Sequence, residues 1–170
     1  MTTATRTTTT APRWSARPFT DADLDAVLAL FTEPDFHYRT HRPDTRPEWE
    51  ILALLDQDTR LLLADGELVG LYAVETVGAD HASHVELQLR LSARMAPDLW
   101  TDAYRTIVAA LRERREVIRL AWHLGEFDER GLAAARAAGL TEEGTVAELV
   151  VHEGRPSGLV FFSQIWEPAS

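Results

Sequence analysis

The spacing of apolar positions changes several times along the chain, and each change marks an element. Trp14 to Phe19 predicts a short strand. Leu24, Val27, Leu28, Leu30 and Phe31 then recur at helical spacing. Thr20 stands as N-cap, and Asp21 and Asp23 fall in a first turn where the helix dipole favours acids. Pro34 ends that stripe. Phe36 to Pro47 has no period, and Pro47 to Leu55 predicts a second helix with Pro in its first turn. Arg60 to Ala64 and Glu67 to Val77 are apolar runs joined by Asp65-Gly66, a strong hairpin signal. After a loop from Gly78 to His84, Val85, Leu87, Leu89 and Leu91 alternate with Glu86, Gln88, Arg90 and Ser92, which predicts a strand with one polar face. A loop from Ala93 to Asp98 leads into a helix with Ala103, Ile107, Ala110 and Leu111 on one face.

Val117 to His123 is the next strand. A strand, helix and strand in that order predict a crossover and a locally parallel pair. Asp128 to Ala138 is a short Ala-rich helix, with Asp128 as a sufficient N-cap and Gly139 as its C-terminal stop. Thr145 to His152 and Leu159 to Trp166 form a second hairpin around Glu153-Gly154-Arg155-Pro156. The fold class is therefore α/β (α+β), a mixed central sheet of about seven strands flanked by about four helices. Residues 1–12 read as a disordered Thr-rich tail, and residues 13–170 as a single domain.

Composition narrows the chemistry. The 17 basic residues are all Arg, so lysine nucleophiles and Schiff bases are excluded. No Cys is present, which removes thiolate catalysis, disulfides and Cys-ligated zinc. A net charge of −10 argues against nucleic acid as the main partner. No apolar run reaches the ~20 residues of a membrane span, and the first residues lack the apolar core of a secretion signal. The expectation is a cytoplasmic protein. His37 and His41 are spaced i, i+4 and His81 and His84 i, i+3, but no carboxylate stands in a known ligand spacing, so no metal is expected.

Two stretches carry a resemblance. RPFTDADLDAVLAL and DERGLAAARAAGLTEEG, in this order of elements and with the closing HEGRPSGLVFFSQIWE, resemble the GCN5-related N-acetyltransferases (GNAT), in particular the subgroup that acetylates ribosomal-protein N-termini. In the second stretch Asp128 stands for a family Asn and Gly131 for a Ser. Gly139-Leu140 stands for Gly-Phe, while Glu142, Glu143 and Gly144 match. The resemblance implies acyl transfer from acyl-CoA to an amine of a small molecule or peptide. It implies cofactor contacts from Leu91, Ser92, Ala93, Arg94, Trp100 and Asp128. The polar strand face would line the acyl-transfer site, with Glu86 as general base, His123 as a second acid or base, and Gln88 and Arg90 beside the substrate. His37, Tyr38, Arg39 and His41 fall in the segment that lines the acceptor site.

The chain departs from the family at the loop that holds the pyrophosphate of CoA. Ala96, Asp98 and Trp100 stand on its three small-residue positions, and Pro97 removes a backbone donor. A carboxylate beside a phosphate costs about 3 kcal/mol at ~5 Å and an effective dielectric of ~20. That departure points to a donor carried on the phosphopantetheine arm of an acidic carrier protein, in a biosynthetic setting. Arg112, Arg114, Arg115 and Arg119 would supply the docking surface for such a carrier. The alternatives are a GNAT fold turned to cyclisation, dehydration or hydrolysis, or to ligand binding without catalysis.

Overall fold

A computed structural model describes residues 11–40, 47–78 and 83–168. The tail expectation falls mostly on residues outside that set, as do His41 and His81. Seven strands form one sheet: β1 Trp14–Pro18, β2 Arg60–Ala64, β3 Glu67–Thr76, β4 His84–Leu91, β5 Arg119–Gly125, β6 Thr141–His152 and β7 Arg155–Ile165. The order across the sheet is β1-β2-β3-β4-β5-β7-β6. Four helices accompany them: α1 Leu24–Phe31, α2 Glu48–Leu54, α3 Pro97–Arg114 and α4 Glu129–Ala138.

Local chemistry explains the joints. Asp65 and Gly66 have φ of 53° and 86°, both left-handed, as a two-residue hairpin turn requires. Glu153 and Gly154 do the same at 49° and 75°, so the second hairpin turns on these two residues alone. Arg155 and Pro156 belong to β7, and β6 begins at Thr141, four residues before the periodicity indicates. The cause is a bulge between Glu142 and Gly144, which breaks the alternation but not the ladder. Gly139 closes α4 at φ 87°. Pro97 begins α3, so the loop before it is shorter than the sequence implies.

The sheet divides two cores. Val85, Leu87, Leu89 and Leu91 of β4 pack with Trp100, Ala103, Tyr104 and Ile107 of α3. On the opposite face, Val27, Leu30 and Phe31 of α1 and Ile51 of α2 pack on Leu61 and Leu71. The polar side of β4 faces α1 and α2. β4 and β5 run parallel for only three paired positions, from His84↔Arg119 to Glu86↔Ala121. Beyond Glu86 they diverge, and the sheet opens between its two central strands. Gly70 of β3 holds the far side of β4 close: a Cβ there would lie 2.3 Å from the Arg90 carbonyl oxygen. Among the described residues no helix is long and apolar enough to cross a membrane.

Candidate active site

The opening between β4 and β5 leads to a cavity of about 370 Å³ on the α1/α2 face. Glu86, Gln88 and Arg90 line it from β4, His123 and Gly125 from β5, and His37 and Arg39 from the segment after α1. At its floor His123 Nδ1 lies 3.2 Å from Glu86 Oε1, and Gln88 Nε2 donates to the same oxygen at 2.8 Å. The imidazole, with help from Gln88, holds the Glu86 carboxyl below its ordinary range, against partial burial that works the other way. Glu86 is thus a carboxylate at neutral pH, and it engages Nδ1 of His123, so that the other ring nitrogen, Nε2, is not spent on it.

The other charges in the wall are matched. Arg39 pairs with Asp56 at 2.5 Å and also with Glu75. Arg90 is only 2% exposed and pairs with Asp128, itself 5% exposed. It also donates to the Asp35 carbonyl. Glu86 is therefore the carboxylate of this wall that no guanidinium neutralises among the described residues. The cavity's uncompensated charge is negative, which favours an ammonium group as visitor.

Arg90 also touches a group from the other side of the sheet. Its guanidinium stacks over the ring of Trp100, 5.1 Å from the centroid, although Trp100 belongs to α3 on the other face. Arg130 covers the same ring at 4.9 Å while donating to Asp35 Oδ2 and to the Ser92 carbonyl. Burial raises the Asp35 carboxyl's pKa, but the Arg130 bond and both guanidinium charges outweigh it, leaving that pKa low. Asp128 caps α4 by accepting from Gly131 N at 2.9 Å, so one carboxylate both starts a helix and balances Arg90.

An aromatic roof closes the cavity's other side. Phe127 and His152 stack with centroids 3.7 Å apart and planes 7° from parallel, and His37 meets both edge-on at 5.1 and 5.5 Å. Burial chiefly, helped by the Arg90 charge, pushes the His37 pKa down to about 4. Tyr38 also lines the cavity, with its hydroxyl turned inward to lie 2.9 Å from Thr59 Oγ1 and its ring packed in the core on the α1/α2 side.

No protein-family model matches the chain, and no curated protein sequence does. Solved structures do. A ribosomal-protein-alanine N-acetyltransferase from Brucella melitensis superposes with a TM-score of 0.68 at 21% identity, over 89% of this chain and 99% of that one. An acetyl transferase from Salmonella typhimurium that modifies the N-terminal serine of ribosomal protein L7/L12 gives 0.75 at 11% identity, over 94% and 97%. A RimL L7/L12 acetyltransferase in complex with coenzyme A gives 0.73 at 12%, over 92% and 95%. The chain has the GNAT fold. The GNAT resemblance drawn from the sequence is thereby supported at the level of fold across almost the whole chain.

The GNAT loop before α3 does not fit a diphosphate. Glu33, at the end of α1, already holds it: Ser92 Oγ donates to one carboxylate oxygen at 2.5 Å and Ala93 N to the other at 2.6 Å. Met95 N is bound to the Ser92 carbonyl at 3.0 Å, and Pro97 has no N–H. The Arg94 side chain points to Glu67 and to the Leu68 carbonyl, at 2.7 and 2.6 Å. Asp98 adds a second carboxylate in the first turn of α3. Of the loop's backbone donors, Ala93 N is spent on an internal carboxylate, Met95 N on a carbonyl, and Pro97 offers none.

The sequence-predicted residues therefore sort as follows. Glu86, His123, Gln88, Arg90, Asp128, His37, Tyr38 and Arg39 meet at one cavity. Trp100 does not stand in the loop; it is buried in the core on α3, because the helix starts at Pro97 and turns the indole inward. Leu91 is also core on its side-chain side. The four arginines form no single docking face. Arg119 pairs with Glu143, Arg115 donates to Thr76 Oγ1, and Arg112 lies 4.7 Å over the Trp166 ring. Arg112 and Arg114 lie in the last turn of α3, the far end of an 18-residue helix from the loop, Arg115 caps that helix and Arg119 opens β5. Glu33, Asp35, Phe127, Arg130 and His152 were not singled out by pattern, because each acts through a contact distant in sequence.

Two measurements probe this site. Asp128→Asn keeps a cap acceptor but leaves the buried Arg90 with only the more distant Asp35 carboxylate, 3.8 Å away, so unfolding free energy should fall by up to about 3 kcal/mol in urea titration; an unchanged midpoint would show that the pair contributes nothing. His37 is held neutral when folded and takes its proton more readily when unfolded. Its contribution to stability is therefore full above pH 6.5 and lost as pH falls through the window toward about 4. Melting temperature should drop more steeply across that window in the wild type than in His37→Phe, which keeps the ring packing without titrating.

Proposed function

We propose that this protein is an N-acyltransferase that moves an acyl group from a pantetheine thioester to the amine of a small molecule or peptide. The single observation that carries the reading is the Glu86–His123 pair, set on adjacent strands at the floor of a cavity where the sheet opens. In such a reaction the amine nitrogen forms a bond to the thioester carbon while the C–S bond breaks. The amine's proton must go to a base, and the thiolate leaves and takes a proton from solvent. His123 Nε2 is the acceptor of that proton, and Glu86 holds Nδ1 and stabilises the imidazolium. The uncompensated charge of Glu86 draws the ammonium form to the floor; its first proton passes to solvent to give the free amine, and the proton that the nitrogen sheds on acylation is the one His123 takes.

The opened sheet supplies the place for the thioester. Ser92 N bonds to Val69 on β3 at 2.8 Å, so strand alternation turns the N–H groups of Leu89 and Leu91 the other way, toward the gap beside β5. Groups of that kind polarise a carbonyl and align a pantetheine arm. The named activities of the structural neighbours, acetylation of ribosomal proteins at their N-termini, support an amine acceptor. The bound coenzyme A in one neighbour supports an acyl-CoA or related thioester as donor. The occupied loop favours a donor recognised by its pantetheine and not by its nucleotide, such as an acyl-phosphopantetheine on a carrier protein. The dispersed arginines give that carrier no docking face at the end of α3.

A second reading rests on the Arg90–Asp128 pair, which stands in the cavity wall. It is a reaction on one substrate held wholly in the cavity, with Glu86 and His123 moving a proton. The test for the first reading is turnover of acyl thioesters with a panel of primary amines. His123→Ala should lower kcat/KM by about 10²–10⁴-fold and Glu86→Gln by less, with the protein still folded. Undiminished turnover in both variants would remove the pair from the mechanism, and no thioester consumption with any amine would leave the one-substrate reading.

A further inference from the structure

On the α3 face, where β1, β2 and β3 extend past the helix, a groove of about 350 Å³ runs between the sheet and α3. We propose that it binds a small amphipathic organic anion, an alkyl or aryl carboxylate. The sheet separates this groove from the cavity of Glu86 and His123, so the proposal stands apart from the acyltransferase reading.

The floor is apolar: Trp14 from β1, Leu62 from β2, Tyr72 from β3 and Leu111 from α3. The Trp14 indole is fixed, its Nε1 donating to Asp102 Oδ2 at 2.7 Å, and this leaves the ring to serve as a rigid wall. Three guanidinium groups stand around the floor, Arg17, Arg60 and Arg114, and no carboxylate lines it. In a chain of net charge −10 that is a local reversal of sign. Arg17 is neutralised by Asp23 at 2.5 Å. Arg60 is held differently: its Nη1 donates to the carbonyls of Gln57 and Thr59 at 2.7 and 2.9 Å, contacts that orient the group without cancelling its charge. Arg114 is exposed in the last turn of α3.

Both charges act on one phenol. Arg60, Arg114 and Tyr72 all line the groove, and the fields of both guanidiniums oppose the rise that burial imposes on the Tyr72 phenol's pKa. A carboxylate seated by the hydroxyl would face two guanidiniums, while its apolar body lies along Trp14, Leu62 and Leu111. Sites of a few hundred Å³ with an apolar lining and a few convergent polar groups are the usual form of small-ligand pockets. A cation would meet repulsion there, and a neutral hydrocarbon would gain nothing from the arginines.

The test uses the full chain with ¹⁵N-labelled tryptophan, the Trp14 indole resonance being assigned through Trp14→Phe. Octanoate should shift that resonance saturably, and octylammonium should bind at least about tenfold more weakly. The exposed variant Arg114→Gln should weaken octanoate about tenfold, and Arg60→Gln combined with it further, with melting temperature and thioester turnover unchanged. Arg114→Gln alone decides the matter if the double variant does not fold. The proposal is overturned if octanoate leaves Trp14 unmoved, if octanoate and octylammonium bind alike, or if Arg114→Gln binds as the wild type does. It is equally overturned if sedimentation shows a dimer whose formation shifts Trp14, since the groove would then be covered by a second copy.

Discussion

The guanidinium of Arg90 touches groups from both sides of the sheet, and most of the site is arranged around accommodating it. β4 and β5 hold together for three positions and then part. An opened sheet must fill the gap or leave backbone groups stranded. Here a charge lines the opening, and a buried charge needs both a counter-charge and a surface to lie on. Asp128 supplies the first and Trp100 the second. Since Asp128 also starts α4 and Trp100 belongs to α3, one side chain ties together the sheet, both helices of that face and the turn at Asp35. The arrangement costs desolvation and adds little net stability, but it fixes the distance between β4 and α4, and with it the shape of the cavity beside Glu86 and His123.

A second consequence lies one turn along. The loop from Ser92 into α3 is folded as an anion cradle, yet the anion it holds is the Glu33 carboxylate of the same chain. An internal carboxylate is present at very high effective concentration and cannot diffuse away, so it competes strongly with any ligand phosphate. The GNAT fold is kept, and the loop grips a carboxylate of its own chain. On this account recognition of the donor shifts from its nucleotide to the thioester and its pantetheine, where the parted strands still present N–H groups.

The sequence revealed those features in which residue type alone decides the conformation. Asp65-Gly66 requires a tight turn, Gly139 a left-handed stop, and the alternation at 85–92 a strand with a polar face. From that face Glu86, Gln88 and Arg90 could be placed in a cleft, and His123 beside them. What stayed hidden is long-range. Glu33 looks like an ordinary acid at a helix end, and only the tertiary fold brings it to Ala93, 60 positions away. Trp100 was misplaced for the opposite reason: Pro97 reads as a loop residue by composition but serves as the first residue of a helix, which rotates the indole into the core. The arginines near the end of α3 look like one patch in sequence, and the structure gives them separate partners.

The account turns on whether the nucleotide part of a donor is held. The most direct measurement is kcat/KM for acetyl-CoA against acetyl-pantetheine with a common amine acceptor. If Glu33 occupies the cradle, the two donors should be used within about threefold of each other, since a gripped diphosphate would contribute several kcal/mol that only the first can realise. A preference for acetyl-CoA of about a hundredfold or more would contradict the account, because it would mean that the loop releases Glu33 and closes on the diphosphate after all.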